Sequence, residues 1–215
     1  MIYDYADKVL KDLNKRNLRW FGKLKTIMQF DELNVFQTVG EVYEQSAKLA
    51  KKRYASIYIS AYLAAYREVN SARAEKGEAD KSETVTEPTE TAVNDWLLDM
   101  LEDYDSVTHY RFNAETERKK MRLAEALLAT NISSKEVDKA LRYWTLQETQ
   151  YAIRSVDDGR LQAFKDAGVK RVRWVTQNDY RVCSACDALN GKVFDIDKAP
   201  GSQHYNDRCY LVPVI

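Results

Sequence analysis

Four residues near the end of the chain have the types and spacing of a metal site. Cys183 and Cys186 form C-x2-C, seventeen residues follow, and His204 and Cys209 close the pattern as H-x4-C. Two sulfurs on a tight knuckle, with an imidazole and a third sulfur returned from an intervening hairpin, supply the four ligands that tetrahedral Zn²⁺ prefers. These three cysteines are all the chain has. A disulfide would strand one of them, whereas a metal uses every one, so the spacing predicts one structural zinc per chain.

The residues around the ligands narrow the reading. The run Trp174-Val175-Thr176-Gln177-Asn178-Asp179-Tyr180-Arg181-Val182-Cys183-Ser184-Ala185-Cys186, then Leu189-Asn190-Gly191-Lys192-Val193-Phe194, then Pro200, His204 and Arg208-Cys209, resembles the C-terminal signature of the phage Mu F-like minor head (head morphogenesis) proteins. The resemblance runs from about Gly159 to the end; upstream, Glu148-Thr149 and Ala167-Gly168-Val169 look like the family's helical lead-in. In the family ending, two cysteines flank an arginine. Here Asp207 stands in place of the first, leaving Cys209 as the chosen sulfur ligand and Asp207 as an alternative oxygen ligand or an acceptor beside the site. Arg181 and Arg208, next to ligand cysteines, are candidates to donate hydrogen bonds to the thiolates or nearby carbonyls.

The resemblance implies a low-copy minor capsid protein of a tailed phage, made in the host cytoplasm and carried in the virion. It would act by binding the portal and other head proteins, with at most weak DNA contact during packaging or ejection. A nucleic-acid-binding zinc module is the alternative. From Arg160 onward nine basic residues face six acidic ones, an excess too slight for a function dominated by phosphate. A zinc hydrolase ranks third, because a catalytic zinc keeps a position open for water and no HExxH motif, P-loop or G-x-S-x-G is present. The expectation is a protein that is not an enzyme.

Composition agrees. With 33 basic and 33 acidic residues, the chain has no global field to draw it onto DNA. No apolar run of about eighteen residues marks a membrane span, and the start lacks the plan of a signal peptide. The expected compartment is therefore reducing, which suits zinc thiolates.

The elements that must carry this site are mainly helical, because seven glycines and three prolines in 215 residues leave few interruptions. The predicted class is α+β, mainly α. Residues 1–70 should form a long helical hairpin: Val9, Leu10, Leu13, Trp20, Phe21, Leu24, Ile27 and Met28 on one arm, and an apolar stripe from Val39 toward Val69 on the other. Residues 71–95 have too little apolar surface to offset ordering entropy and are predicted to be a polar, mobile linker. Helix should resume over 96–158, through Trp96 to Val107, through Met121 to Leu128, and again after a Ser133–Glu136 capping box, in a last helix that carries Val137, Leu141, Trp144 and Glu148 toward the tail.

Residues 159–215 are then the zinc module. Gly168 is expected to stop a helix, strands are expected at 172–176, 192–194 and 210–212, and Asn190-Gly191 should turn the chain. So short a sheet cannot bury enough to stand alone, which gives the metal a structural task.

Three further features take plain readings. Tyr54, Tyr58, Tyr62 and Tyr66 are better explained by packing than as a partner-binding ladder. Arg118, Lys119, Lys120 and Arg122, beside Glu115 and Glu117, read as a solvated helix face with a Glu115–Lys119 pair rather than a phosphate site. His109 reads as an ordinary helix-surface histidine.

Overall fold

The structure, a computed structural model, describes residues 2–26, 32–77, 111–129, 134–177, 182–204 and 207–215. Expectations for 78–110 (the polar segment, Trp96 to Val107, His109), for Ser133 and for Arg181 lie outside these residues. The described chain is mainly helical with one small sheet. The helices are α1 (Asp4–Thr26), α2 (Glu32–Glu75), α3 (residues 111–129), α4 (Ser134–Asp166) and the short α5 (Ser184–Leu189). The strands are β1 (Arg171–Val175), β2 (Val193–Asp195) and β3 (Tyr210–Val214), antiparallel in the order β2-β1-β3. None of the described helices is long and apolar enough to cross a membrane.

The chain folds as two compact units, one of Met1–Ala6, Ser56–Val93 and Gln150–Ile215, the other of Asp7–Ala55 and Asn94–Thr149. Neither is contiguous, since α2 and α4 each contribute to both. The boundary expected at residue 158 falls inside α4, and α2 runs five residues into the expected linker. Ser71-Ala72-Arg73-Ala74-Glu75 is short of apolar surface but not of helix formers, and Arg73 anchors the end by donating to the Ala167 carbonyl at 2.7 Å.

In the helical unit, apolar faces of α1, α2, α3 and α4 meet in a chain of aromatic rings. Phe21 meets Tyr43 at 5.3 Å, Tyr43 meets Trp144 at 5.1 Å, and Phe112 bridges Trp144 at 5.6 Å and Tyr54 at 5.5 Å. Three of the four contacts are edge-on, the arrangement that ring quadrupoles favour. A polar cluster lies within this unit's core. Asn17 Nδ2 donates to Glu148 Oε2 at 2.6 Å, Ser46 Oγ donates to Asn17 Oδ1 at 2.6 Å, and Trp144 Nε1 donates to Ser46 Oγ at 2.6 Å. Glu148 is fully buried here, because Asn17 and Ser46 offer it the donors that a buried carboxyl group requires.

In the sheet-bearing unit, α2 and α4 approach unusually closely at Gly159, where a Cβ atom would sit 2.5 Å from the Tyr58 carbonyl oxygen. Only glycine fits that crossing. Tyr58, Tyr62 and Tyr66 are buried, as is Tyr54 in the other unit, so all four tyrosines pack. At the end of α4, Gly168 adopts φ +71°, Val169 N–H reaches the Phe164 carbonyl at 2.9 Å and Gly168 N–H reaches Lys165 at 2.9 Å. This double closure is the Schellman arrangement that left-handed glycine permits, and it turns the chain directly into β1.

Candidate metal centre

The sheet and the knuckle are built from one another. Strand β1 buries Val172 and Trp174 and exposes Arg171 and Arg173, the alternation of a strand covered on one face. After the knuckle, Leu189-Asn190-Gly191-Lys192 closes a turn with Lys192 N–H on the Leu189 carbonyl at 3.0 Å and Gly191 at φ +77°. That left-handed third position suits a type II turn. Reciprocal bonds at 2.9 Å, from Trp174 N–H to Lys192 and from Gly191 N–H to Trp174, lay the segment back on β1. Asn190 Oδ1 accepts the Thr176 amide at 3.2 Å.

Cys183 caps the start of α5, its sulfur accepting the Cys186 amide at 3.4 Å. This bond is the main reason its thiol lies below the ordinary cysteine range, with a smaller contribution from nearby His204. Cys186 and Cys209 are buried with Trp174 in a small apolar cluster, flanked by Val182, Leu189, Phe194 and Leu211. Burial pushes the Cys186 thiol well up; it also raises Cys209, with Asp207 adding to the effect, to about 11. All three cysteines are free thiols.

Five side chains converge. The ligand atoms of Cys183, Cys186 and His204 lie within 4.8 Å of one another, and so do those of Cys186, Asp207 and Cys209. The four expected ligands therefore do not make one mutual group. They fall into two triads sharing Cys186, and Asp207 completes the second. Asp207 is 1% exposed. Its Oδ2 accepts the Gln203 amide at 2.8 Å and the Cys186 thiol at 3.4 Å, and its Oδ1 accepts the Cys209 amide at 2.9 Å and lies 3.9 Å from His204 Nε2. The carboxylate thus organises the loop that presents His204 and Cys209. Three sulfurs, an imidazole and a carboxylate form a donor set that could hold a borderline-soft divalent metal ion. Binding would have to displace protons from Cys186 and Cys209, so it would be coupled to pH.

Side chains remote in sequence brace the site. The Tyr3 hydroxyl donates to Asp157 Oδ1 at 2.8 Å and lies 3.5 Å from the Cys209 carbonyl oxygen; the Arg208 guanidinium sits 5.5 Å from the Tyr3 ring. Gln177 Nε2 donates to the Arg208 carbonyl at 2.9 Å. Buried Arg160 pairs with Glu68 at 2.9 Å and donates to the Leu211 carbonyl at 3.1 Å, joining α4, α2 and β3. Tyr3, Asp157, Gln177 and Glu68 had no signal in the sequence, since nothing local distinguishes them. No protein-family model, no curated protein and no solved structure matches the chain.

Proposed function

We propose that this chain is a minor capsid, head morphogenesis protein of a tailed phage that binds the portal and other head proteins and turns over no substrate. Its C-terminal module would be held by one structural zinc on Cys183, Cys186, His204 and Cys209, with Asp207 as the acceptor that orients them. The observation that carries the reading is the Mu F-like run from Trp174 to Cys209, whose cysteines and histidine converge beneath a sheet too small to hold them by packing. Asp207 supports the division of roles, because both its oxygens already accept backbone amides. When bound, zinc would supply a cross-link between the knuckle and the C-terminal return, and thereby folding free energy.

The nucleic-acid reading loses support from the same geometry. Arg160 is buried against Glu68, and Lys165 and Lys198 lie within 4 Å of Asp197 and Asp195, so three of the nine cations already have carboxylate partners in place of phosphate.

Co-expression with the portal protein of the same genome tests the proposal. Co-purification of the two, and misshapen or underfilled heads from phage lacking this chain, are the expected results. Normal heads and normal infectivity without it would defeat the reading. DNA binding that survives ~200 mM salt would promote the nucleic-acid alternative, since affinity from few phosphate contacts is lost there.

A further inference from the structure

A second candidate site lies in the helical unit, in a groove between α3 and α4 floored by Tyr43 of α2. The cavity is about 450 Å³ and is lined by Lys119, Arg122, Leu123 and Ala126 of α3 and by Glu136, Lys139, Ala140 and Tyr143 of α4. Three cations face one carboxylate. Glu136 pairs with Lys139 at 3.7 Å, whereas Arg122 is exposed and has no ion-pair partner among the described residues. Lys119 does not simply extend into water. It crosses to α4, where its ammonium donates to the Tyr143 carbonyl at 3.4 Å and lies 5.7 Å from the Tyr143 ring. Partial desolvation holds that ammonium below its ordinary range, a cost that an incoming anion would offset.

The rest of the groove is apolar. Leu123, Ala126 and Ala140 form its walls, and Tyr143, 53% exposed, continues along α4 to Leu146, 39% exposed and three residues further on. The chain's formal neutrality says nothing against a cationic groove. Residues 78–105 hold ten acidic side chains and one basic, which leaves a net +9 on the remainder.

We infer that this groove binds a short acidic segment of a partner protein, whose carboxylates meet Arg122 and Lys119 while an apolar side chain enters between Leu123, Ala126, Ala140 and Tyr143. Two features favour a protein over a nucleic acid. The cations form a cluster rather than a track, and Glu136 stands among them where a continuous phosphate backbone would pass. Charged rims of this kind set specificity and on-rate, and buried apolar anchors set residence time. The inference is independent of the metal centre and of any role in a phage head.

A random short-peptide display library selected on the full-length protein tests it. Enriched peptides should combine Asp or Glu with Leu, Phe or Trp, should lose affinity at least about tenfold for the double variant Arg122→Glu/Lys139→Glu, and should weaken with added salt. Both positions are exposed, so far-ultraviolet dichroism should be unchanged. The milder pair Arg122→Ala/Tyr143→Ala should weaken binding in the same direction if charge reversal disturbs the fold. Failure to enrich any peptide, enrichment without acidic bias, or equal binding to both variants would overturn the inference. So would tighter binding of a single-stranded oligonucleotide or pyrophosphate, lost in the same variants, in place of the peptides.

Discussion

Two buried carboxyl groups, Asp207 in the sheet-bearing unit and Glu148 in the helical unit, are both held by hydrogen bonds but in opposite ways. Asp207 accepts backbone amides, from Gln203 and Cys209, four and two residues away. It shapes a loop, and the loop presents ligands. Glu148 accepts from the side chain of Asn17 and lies near Ser46, residues 131 and 102 positions distant. It joins three helices whose packing already exists without it. A carboxylate bound to backbone is part of local architecture, whereas one bound to side chains is an inclusion in a core that aromatic contacts and aliphatic burial hold together. On the proposed zinc reading, the first region should therefore depend on a bound metal and the second should not.

The largest effect expected from this contrast follows removal of Cys186, which belongs to both triads. Cys186→Ser, or chelation of the metal, should abolish zinc binding and expose residues 172–215 to rapid hydrogen exchange, while 39–55 of the helical unit stay protected and the helical far-ultraviolet signature persists. Equal loss of protection over both stretches would erase the distinction between the regions. Metal analysis of protein purified without chelator should find one zinc per chain, and finding none would remove its basis.

Next in size is Gly159→Ala. The added methyl would meet the Tyr58 carbonyl at 2.5 Å, and since backbone cannot swing aside as a side chain can, α2 and α4 must separate. A loss of about 2–3 kcal/mol is expected, read as a lower denaturation midpoint with metal content unchanged. A neutral outcome would show that the crossing is looser than the structure indicates.

Glu148→Gln sharpens the contrast by pH. Burial lifts Glu148 from an ordinary 4.5 to about 7, so the native unit favours the protonated form. The stability this provides is fully present below pH 4.5 and disappears as pH rises through about 7. The glutamine variant, permanently neutral, should match the wild type near pH 4.5 and exceed it by up to about 3 kcal/mol above pH 7. A difference independent of pH would mean that Glu148 is charged throughout.

The smallest change is Tyr3→Phe, which deletes the hydroxyl bonded to Asp157 without opening a cavity. A cost of about 1 kcal/mol is expected, together with faster exchange around Cys209 and no change in the aromatic core of the helical unit. Faster exchange in both units alike would show that Tyr3 is not specific to the metal loop.

Much of the chain could be read in order. The apolar periodicity of α1, α2 and α4, the stop at Gly168, the Asn190-Gly191 turn and all three strands were legible, because each depends on residues within a few positions of one another. Ligand spacing, itself a local code, marked the region where Cys183, Cys186, His204 and Cys209 lie, although they meet as two triads sharing Cys186 rather than as one group of four. Net neutrality misleads by comparison, being the sum of one strongly acidic stretch and a basic remainder. Tertiary structure alone decided that Glu148 faces Asn17 and Ser46, that Arg160 is buried against Glu68, and that Gly159 meets the Tyr58 backbone. Each of these rests on groups brought together from distant parts of the chain, and no local pattern of size, charge or period encodes which distant partner a side chain will find.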